Sequence, residues 1–392
     1  MILPTTDRTA EHADLAALVA SSAELIGSLQ DADGAYPASP TFSAYAGYSW
    51  FRDGAFIADA MSAYGRAESA ERFFDWCARV LESRRDEIGA IATAASAGRP
   101  VADAAMLPTR FTFDGRAGDD EWWDFQLDGY GTWVWAVAEH VRRHGTDAAR
   151  WAPAIALTVD YLASSWQRPC FDWWEEHAEH VHVSTLGCIA AGLRAAASLG
   201  VLDVERAALA ASAARDVGAF IEARGVADGH LSKWIGSTAV DASLAAVVGV
   251  MEVVPAASAL GTGTIAAIER DLAVDGGVHR FVDDTYYGGG QWPLLSCFLG
   301  LAHARAGDID RARALLAWAA STAGPGGSMP EQVERHLLAP TRVEEWIERW
   351  GTSADPLLWS HAMLIRLAVA LDGAPRSASF PVSASAPQES PA

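Results

Sequence analysis

Apolar residues recur three and four positions apart in about twelve stretches of this chain, and the connections between them come in two very different lengths. The stretches are 11–30, 53–64, 67–93, 127–143, 147–166, 184–199, 202–224, 239–250, 263–272, 290–306, 308–323 and 356–372. All are rich in Ala, Leu and Arg, which favour helix. Asp147, Ser184 and Asp308 stand where helix caps belong. Short turns such as His144-Gly145-Thr146, Leu199-Gly200-Val201 and Ala306-Gly307-Asp308 join some partners. Others are separated by long irregular segments, 31–52, 97–126, 167–183, 225–238, 273–289 and 325–355. This alternation predicts a closed toroid of helical hairpins with its long loops gathered at one end. There is no fixed 34- or 40-residue repeat, which argues against an open solenoid. Strands are expected only near 226–232 and 278–287.

One barrel domain over 1–374 is expected, followed by a Pro/Ser/Ala-rich tail, 375–392, expected to be disordered. Lys and Arg number 29 against 50 Asp and Glu, a net charge of −21 that disfavours nucleic acid and anionic membrane surfaces as partners. No stretch of about 20 apolar residues lacks charge, so no membrane span is expected. Cys77, Cys170, Cys188 and Cys297 follow no pairing pattern and read as reduced core thiols. The N-terminus shows no basic start followed by an apolar run, so a cytoplasmic protein is expected. A monomer or small homo-oligomer is expected.

The long loops carry the chemistry-bearing residues. They read Tyr-Ser-Trp-Phe-Arg-Asp at 48–53 and Glu-Trp-Trp-Asp-Phe-Gln-Leu-Asp-Gly-Tyr-Gly at 121–131, which includes Trp123. Phe-Asp-Trp-Trp-Glu-Glu stands at 171–176, and an Arg-to-Trp run with two tyrosines and three glycines at 280–292. Gly-Gly-Ser-Met-Pro-Glu-Gln follows at 326–332. Carboxylates and arginines mixed with aromatic rings suit a sugar, whose hydroxyls want planar charged partners and whose ring faces stack on Trp or Tyr. The chain has 16 tryptophans, which either line such a cleft or fill an aromatic core. It has one lysine, Lys233.

A carboxyl packed among aromatics, as at Asp172-Trp173-Trp174-Glu175-Glu176, loses solvation and gains a raised pKa, which suits a general acid. The same residues equally fit a solvated acidic loop. Glu331, after glycines and Pro330, would complete a two-carboxylate set, or would sit in the first turn of a helix. His177, His180 and His182 lack metal-site spacing, so neither metal nor cofactor is expected. Gly288-Gly289-Gly290 has no following Lys-Ser/Thr and is not a phosphate loop.

Taken in order, these segments resemble glycoside hydrolase family 15, the glucoamylase-like enzymes, over roughly residues 45–365. The resemblance rests on Trp50-Phe51-Arg52-Asp53, Asp172-Trp173-Trp174-Glu175-Glu176, and Arg280 with Asp284, Tyr286, Tyr287, Gly289 and Trp292. Gly327-Ser328-Met329-Pro330-Glu331-Gln332 and Trp359-Ser360 complete it. It implies an all-α (α/α)6 barrel and an inverting exo-hydrolase that releases β-glucose from the non-reducing end of α-glucosides. It implies Glu175 as general acid and Glu331 as general base. Arg52, Asp53 and Arg280 would hold the terminal glucose. Trp50, Asp172, Trp174, Glu176, Asp284, Trp292 and Trp359 would line the site, with Asp172 and Glu176 steadying positive charge on the ring.

No β-sandwich of the kind that precedes the barrel in many bacterial relatives is expected here. An acidic insert between Gln332 and Trp359, with Glu334, Glu344, Glu345, Trp346 and Trp350, is placed to narrow the aglycone side or to orient the water. A compact barrel suggests short oligosaccharides, with isomaltose-type α-1,6 linkages first, maltooligosaccharides next and trehalose last. A non-catalytic carbohydrate-binding module of the same family is the alternative, and the presence of both carboxylates argues against it. A phosphorylase would need a basic phosphate site, and only Arg335-His336 lies near Glu331.

Overall fold

The structure is a computed structural model and describes residues 7–118 and 125–372. Trp123 and the 375–392 tail lie outside the described residues. In chain order the elements are α1 (Asp7–Leu29), β1 (Tyr48–Trp50), α2 (Phe51–Ala63), α3 (Ala67–Ser83), α4 (Arg85–Ser96), β2 (Arg110–Thr112) and α5 (Asp128–His144). There follow α6 (Ala152–Ser165), α7 (Val183–Ser198), α8 (Val204–Arg224), β3 (Val226–Ala227), β4 (His230–Leu231), α9 (Leu244–Gly249) and α10 (Ala259–Leu272). The last are β5 (Ala273–Val274), β6 (Gly277–Val278), α11 (Pro293–Ala306), α12 (Ile309–Ala320), α13 (Val343–Trp350) and α14 (Leu358–Asp372).

The described chain is mostly helical, and the helices form two layers. Helix α2 packs on α5, α5 on α7, α7 on α9, α9 on α11 and α11 on α14, and α14 returns to α2. Around this ring lie α3 on α2, α8 on α7, α10 on α9, α12 on α11, and α1 on α14. Helix α6 joins the outer layer against α3, α4 and α8. Burial follows position. Every residue of α2 from Phe51 to Ser62 is buried, whereas α8 buries only Ala210, Ala213, Val217 and Ile221, a single stripe. Inner helices cross closely where size permits. A Cβ on Gly131 of α5 would lie 2.2 Å from the Cys188 carbonyl oxygen of α7, and one on Gly192 would lie 2.4 Å from the Gly131 oxygen. No side chain fits there.

The short turns expected at 144–146, 199–201 and 306–308 join α5 to α6, α7 to α8 and α11 to α12. Asp147 and Asp308 cap as expected, accepting from the Ala149 and Arg311 amides. Ser184 does not cap. It lies one residue inside α7, behind His182. The 67–93 segment is two helices broken at Arg84, so that α4 can turn onto α6. The strand expected over 278–287 shrinks to the β5–β6 hairpin, because the chain then turns to bring Arg280 and Asp284 together. The β1–β2 pairing, Tyr48 to Thr112 and Trp50 to Arg110, was not legible, because three-residue strands carry no alternation. Helix α13 was not foreseen either.

All four cysteines are buried and unpaired, and burial pushes the thiols up. At the centre of the ring Phe56, Trp173, Phe298 and Trp359 pack together, with Phe56 stacked on Trp359 at 5.5 Å. Trp173 and Trp359 of this cluster also line a cavity.

Candidate active site

The long loops converge on that cavity, which has a volume of about 290 Å³. Among the described residues, seven tryptophans line it: Trp50, Trp173, Trp174, Trp292, Trp346, Trp350 and Trp359. The surplus of tryptophan therefore serves a cleft as well as a core. Trp50, Arg52, Asp53, Trp174, Glu175, Glu176, Arg280, Trp292, Glu331 and Trp359, all named from sequence, line it together.

Glu175 sits at the crest of a tight turn. The Asp172 carboxylate accepts the Trp174 and Glu176 amides at 2.9 Å each, and the Glu175 amide donates to the Asp172 carbonyl at 3.0 Å. Glu175 adopts φ 62°, a left-handed conformation that costs a side-chain-bearing residue about 1–3 kcal/mol. The turn is thereby bent to point one carboxyl at the cavity. There the Trp50 indole N–H donates to Glu175 Oε1 at 2.6 Å.

Glu331 lies in an irregular segment, not at a helix start. Its amide donates to the Ala354 carbonyl at 2.8 Å. The Met329 amide donates to His361 Nε2, and the Ser360 hydroxyl to the Pro330 carbonyl, so the Trp359-Ser360 motif holds the segment from below. The Glu331 carboxylate accepts three hydroxyls: Tyr45 at 3.0 Å, Tyr286 at 3.2 Å and Ser353 at 3.3 Å. Burial pushes its pKa up to about 7, against the pull of those hydroxyls and of Arg280. Tyr45 and Trp50 meet edge to face at 5.4 Å, so one short segment grips both carboxyls.

Two arginines form the polar wall. Arg52 donates to Gln126 at 2.6 Å and pairs with Asp128 at 3.0 Å and Asp53 at 3.4 Å. Burial opposes its charge, but Asp128 and Asp53 outweigh that and keep it protonated. Burial pushes Asp53 up to about 6 despite Arg52. Arg280 donates to Asp284 at 2.8 Å and to Glu176 at 3.0 Å, flanked by the rings of Trp174, Tyr286 and Trp292.

Asp172 and Asp284 are not among the lining residues. Both were expected to line the site; instead Asp172 closes the Glu175 turn and Asp284 holds Arg280, each from behind the wall. The Gly288-Gly289-Gly290 run is a crossing point. A Cβ on Gly289 would meet the Asp284 carbonyl at 2.3 Å and one on Gly290 the Val333 carbonyl at 2.5 Å. Gln291 pairs there with Val333. Helix α13 roofs the cavity. Trp346 donates to the Thr285 carbonyl at 2.9 Å and packs on Tyr286 and Tyr287, while Arg349 and Trp350 also face inward.

Sequence reasoning did not assign site roles to Tyr45, Ser353, Gln126 or Asp128, and named Tyr286 only within a motif. Lone hydroxyls and amides in loops carry no pattern. His180 stacks on Trp234 at 4.2 Å, beside His177, and among the described residues no three His, Cys, Asp or Glu side chains are placed to hold a metal.

Residues 13–369 match the sequence family described as glycosyl hydrolases family 15. The chain belongs to that family. It is 51% identical over 359 residues to an isomaltose glucohydrolase from Kribbella flavida (strain DSM 17836 / JCM 10339 / NBRC 14399), covering 91% of this chain and 93% of the relative. A solved glycosidase variant in complex with glucose is 49% identical, with a TM-score of 0.91, covering 95% of this chain and 99% of the other. A bacterial glucoamylase complexed with acarbose is only 19% identical but has a TM-score of 0.72, over 91% of this chain and 55% of that one. The last likeness is one of fold alone. Family 15 membership accounts for the order in which the aromatic and acidic loops occur.

Proposed function

We propose that the chain is an (α/α)6-barrel, exo-acting α-glucoside hydrolase of family 15 that releases β-glucose from the non-reducing end of short α-gluco-oligosaccharides, isomaltose first. One observation carries this reading. Two carboxyls, each with its own hydrogen-bond donors, meet in one aromatic cavity. The preference for isomaltose rests on the 51% identity to the Kribbella flavida relative. The cavity, near the lower end of the roughly 300–1,000 Å³ typical of ligand sites, favours a short substrate over a polymer.

In this reading Arg52, Asp53 and Arg280 grip hydroxyls of the terminal glucose, and Trp50, Trp174 and Trp359 meet its ring. Protonated Glu175 gives its proton to the glycosidic oxygen as the C1–O bond breaks. Ionised Glu331 takes a proton from the water that attacks C1 from the other face, and its poised pKa makes it a strong base for a carboxylate. Glu176, held by Arg280, faces the growing ring charge.

The test is incubation with isomaltose, maltose, panose, trehalose and dextran, following anomeric protons by NMR from the first minutes. Early β-glucose, fastest from isomaltose, is expected. Early α-glucose would break the inverting assignment and the role of Glu331. Faster release from maltose or trehalose would reassign the linkage. No release from any of them would favour a carbohydrate-binding module.

A further inference from the structure

The only lysine of the chain, Lys233, is buried at 4% exposure behind the Glu175 turn. Its ammonium lies 3.2 Å from Asp241 Oδ2, 3.8 Å from Asp172 Oδ2 and 3.0 Å from the centre of the Phe281 ring. Both carboxylates are themselves buried and each organises a turn. Asp172 Oδ1 takes the Trp174 and Glu176 amides on either side of Glu175. Asp241 Oδ1 takes the Ser243 amide and hydroxyl, and the Asp241 carboxylate also accepts the Trp174 indole at 3.0 Å. Lys233 therefore ties the turn that carries Glu175 to the turn at 241–243, with Trp174 of the cavity wall bridging the same two points.

We propose that Lys233 is a positioning residue for the general acid: its ammonium, seated between Asp172 and Asp241, balances the two carboxylates and so sets the turn that aims Glu175. This rests on the functional reading above. Without the cation, two buried carboxylates would face each other across low-dielectric space, and one would take up a proton or turn toward solvent. Either change disturbs the hydrogen bonds that bracket Glu175. Burial already raises the Asp172 pKa, with Lys233 and then Arg280 opposing it and Asp241 adding to it. His182, close by, supplies no second cation, because burial pushes its pKa down to about 4. Counted as formal charges, the trio of Lys233, Asp172 and Asp241 sums to one negative charge, and removing the lysine leaves two before any proton is taken up.

The experiment compares two substrates. Isomaltose needs its leaving group protonated, whereas α-glucosyl fluoride expels fluoride without an acid, so a misplaced Glu175 slows the first and spares the second. Lys233→Met is expected to lower kcat on isomaltose at least tenfold more than on α-glucosyl fluoride. Adding Asp241→Asn to that variant restores the trio's net charge and is expected to recover much of the isomaltose rate. Parental isomaltose turnover in Lys233→Met, equal loss on both substrates, or no recovery in the double variant would each overturn the proposal. Should Lys233→Met alone not fold by circular dichroism, the double variant decides. A parental ratio of the two rates supports charge balance, and a tenfold lower ratio refutes it. Failure of the unmutated protein on both substrates would instead sink the hydrolase reading itself.

Discussion

The two carboxyl-bearing loops of the cavity are built on opposite principles. The 172–176 turn is held by charge and by strain: an aspartate bracketing two amides, a left-handed glutamate, and buried cations at Lys233 and Arg280. The 329–331 segment is held by neutral groups: backbone amides, the His361 ring, and three hydroxyls on the carboxylate. Burial pushes the His361 pKa down to about 4, so its ring stays neutral and accepts the Met329 amide. The difference shows how one fold separates two chemically identical side chains. A carboxyl surrounded by hydroxyls and aromatic rings keeps most of its desolvation penalty, which is why Glu331 rises to about 7. A carboxyl on a charged, strained turn is defined foremost by where it points.

The largest expected effect tests this division directly. Glu175→Gln and Glu331→Gln should each lower isomaltose turnover by about 10²–10⁴-fold, the usual range for lost acid–base catalysis. With α-glucosyl fluoride only Glu331→Gln should stay impaired. Equal impairment of both variants on the fluoride would erase the distinction between acid and base.

Next comes the charged wall. Arg280→Ala leaves Asp284 and Glu176 without their shared partner, and thermal or chemical unfolding should show a loss of about 3–5 kcal/mol. Removal of any one hydroxyl around Glu331 should cost far less. A loss under 1 kcal/mol for Arg280→Ala would mean that the acid side does not depend on charge.

Stability should also respond to pH through Glu331. Its pKa is raised on folding, so the native state holds a proton that the unfolded chain has already lost between about pH 4.5 and 7. Stability therefore falls as pH rises through that window, by on the order of 3 kcal/mol. Glu331→Gln should flatten this dependence and unfold at a higher temperature than the parent at pH 8. For the parent, kcat/KM should decline as pH drops through about 7, as the base takes up its proton.

The smallest effect is the sharpest on mechanism. Ser353 donates to Glu331, so Ser353→Ala removes a group that favours the ionised form. The acid limb of kcat/KM should move to higher pH by a fraction of a unit. A shift to lower pH would contradict the account of how this carboxyl is tuned.

The helices were legible because they are local. Periodicity at three and four residues, good helix formers and aspartate caps act within a few positions of one another, and they placed the inner and outer helices to within a few residues. The ten lining residues named from sequence were legible for a related reason: each stands in a motif whose neighbours belong to the same loop. What escaped was whatever depends on loops meeting. Tyr45, Tyr286 and Ser353 converge on Glu331 from three loops, and Tyr45 and Glu331 stand 286 positions apart in the chain.

Residue type and spacing do not distinguish Asp172, Glu175 and Glu176, three acids within five residues; only the family resemblance singled out Glu175. The turn sends the first behind the wall, the second to the crest and the third to Arg280. The sequence by itself determined that there would be a helical toroid with aromatic, acidic loops, because short-range propensity and residue type suffice for that. Only the tertiary structure decided what donates to each carboxyl of the cavity, that Asp172 stands behind the wall and which buried cation backs the turn. Those depend on closing the ring from α14 back to α2, which sets distances that no local pattern encodes.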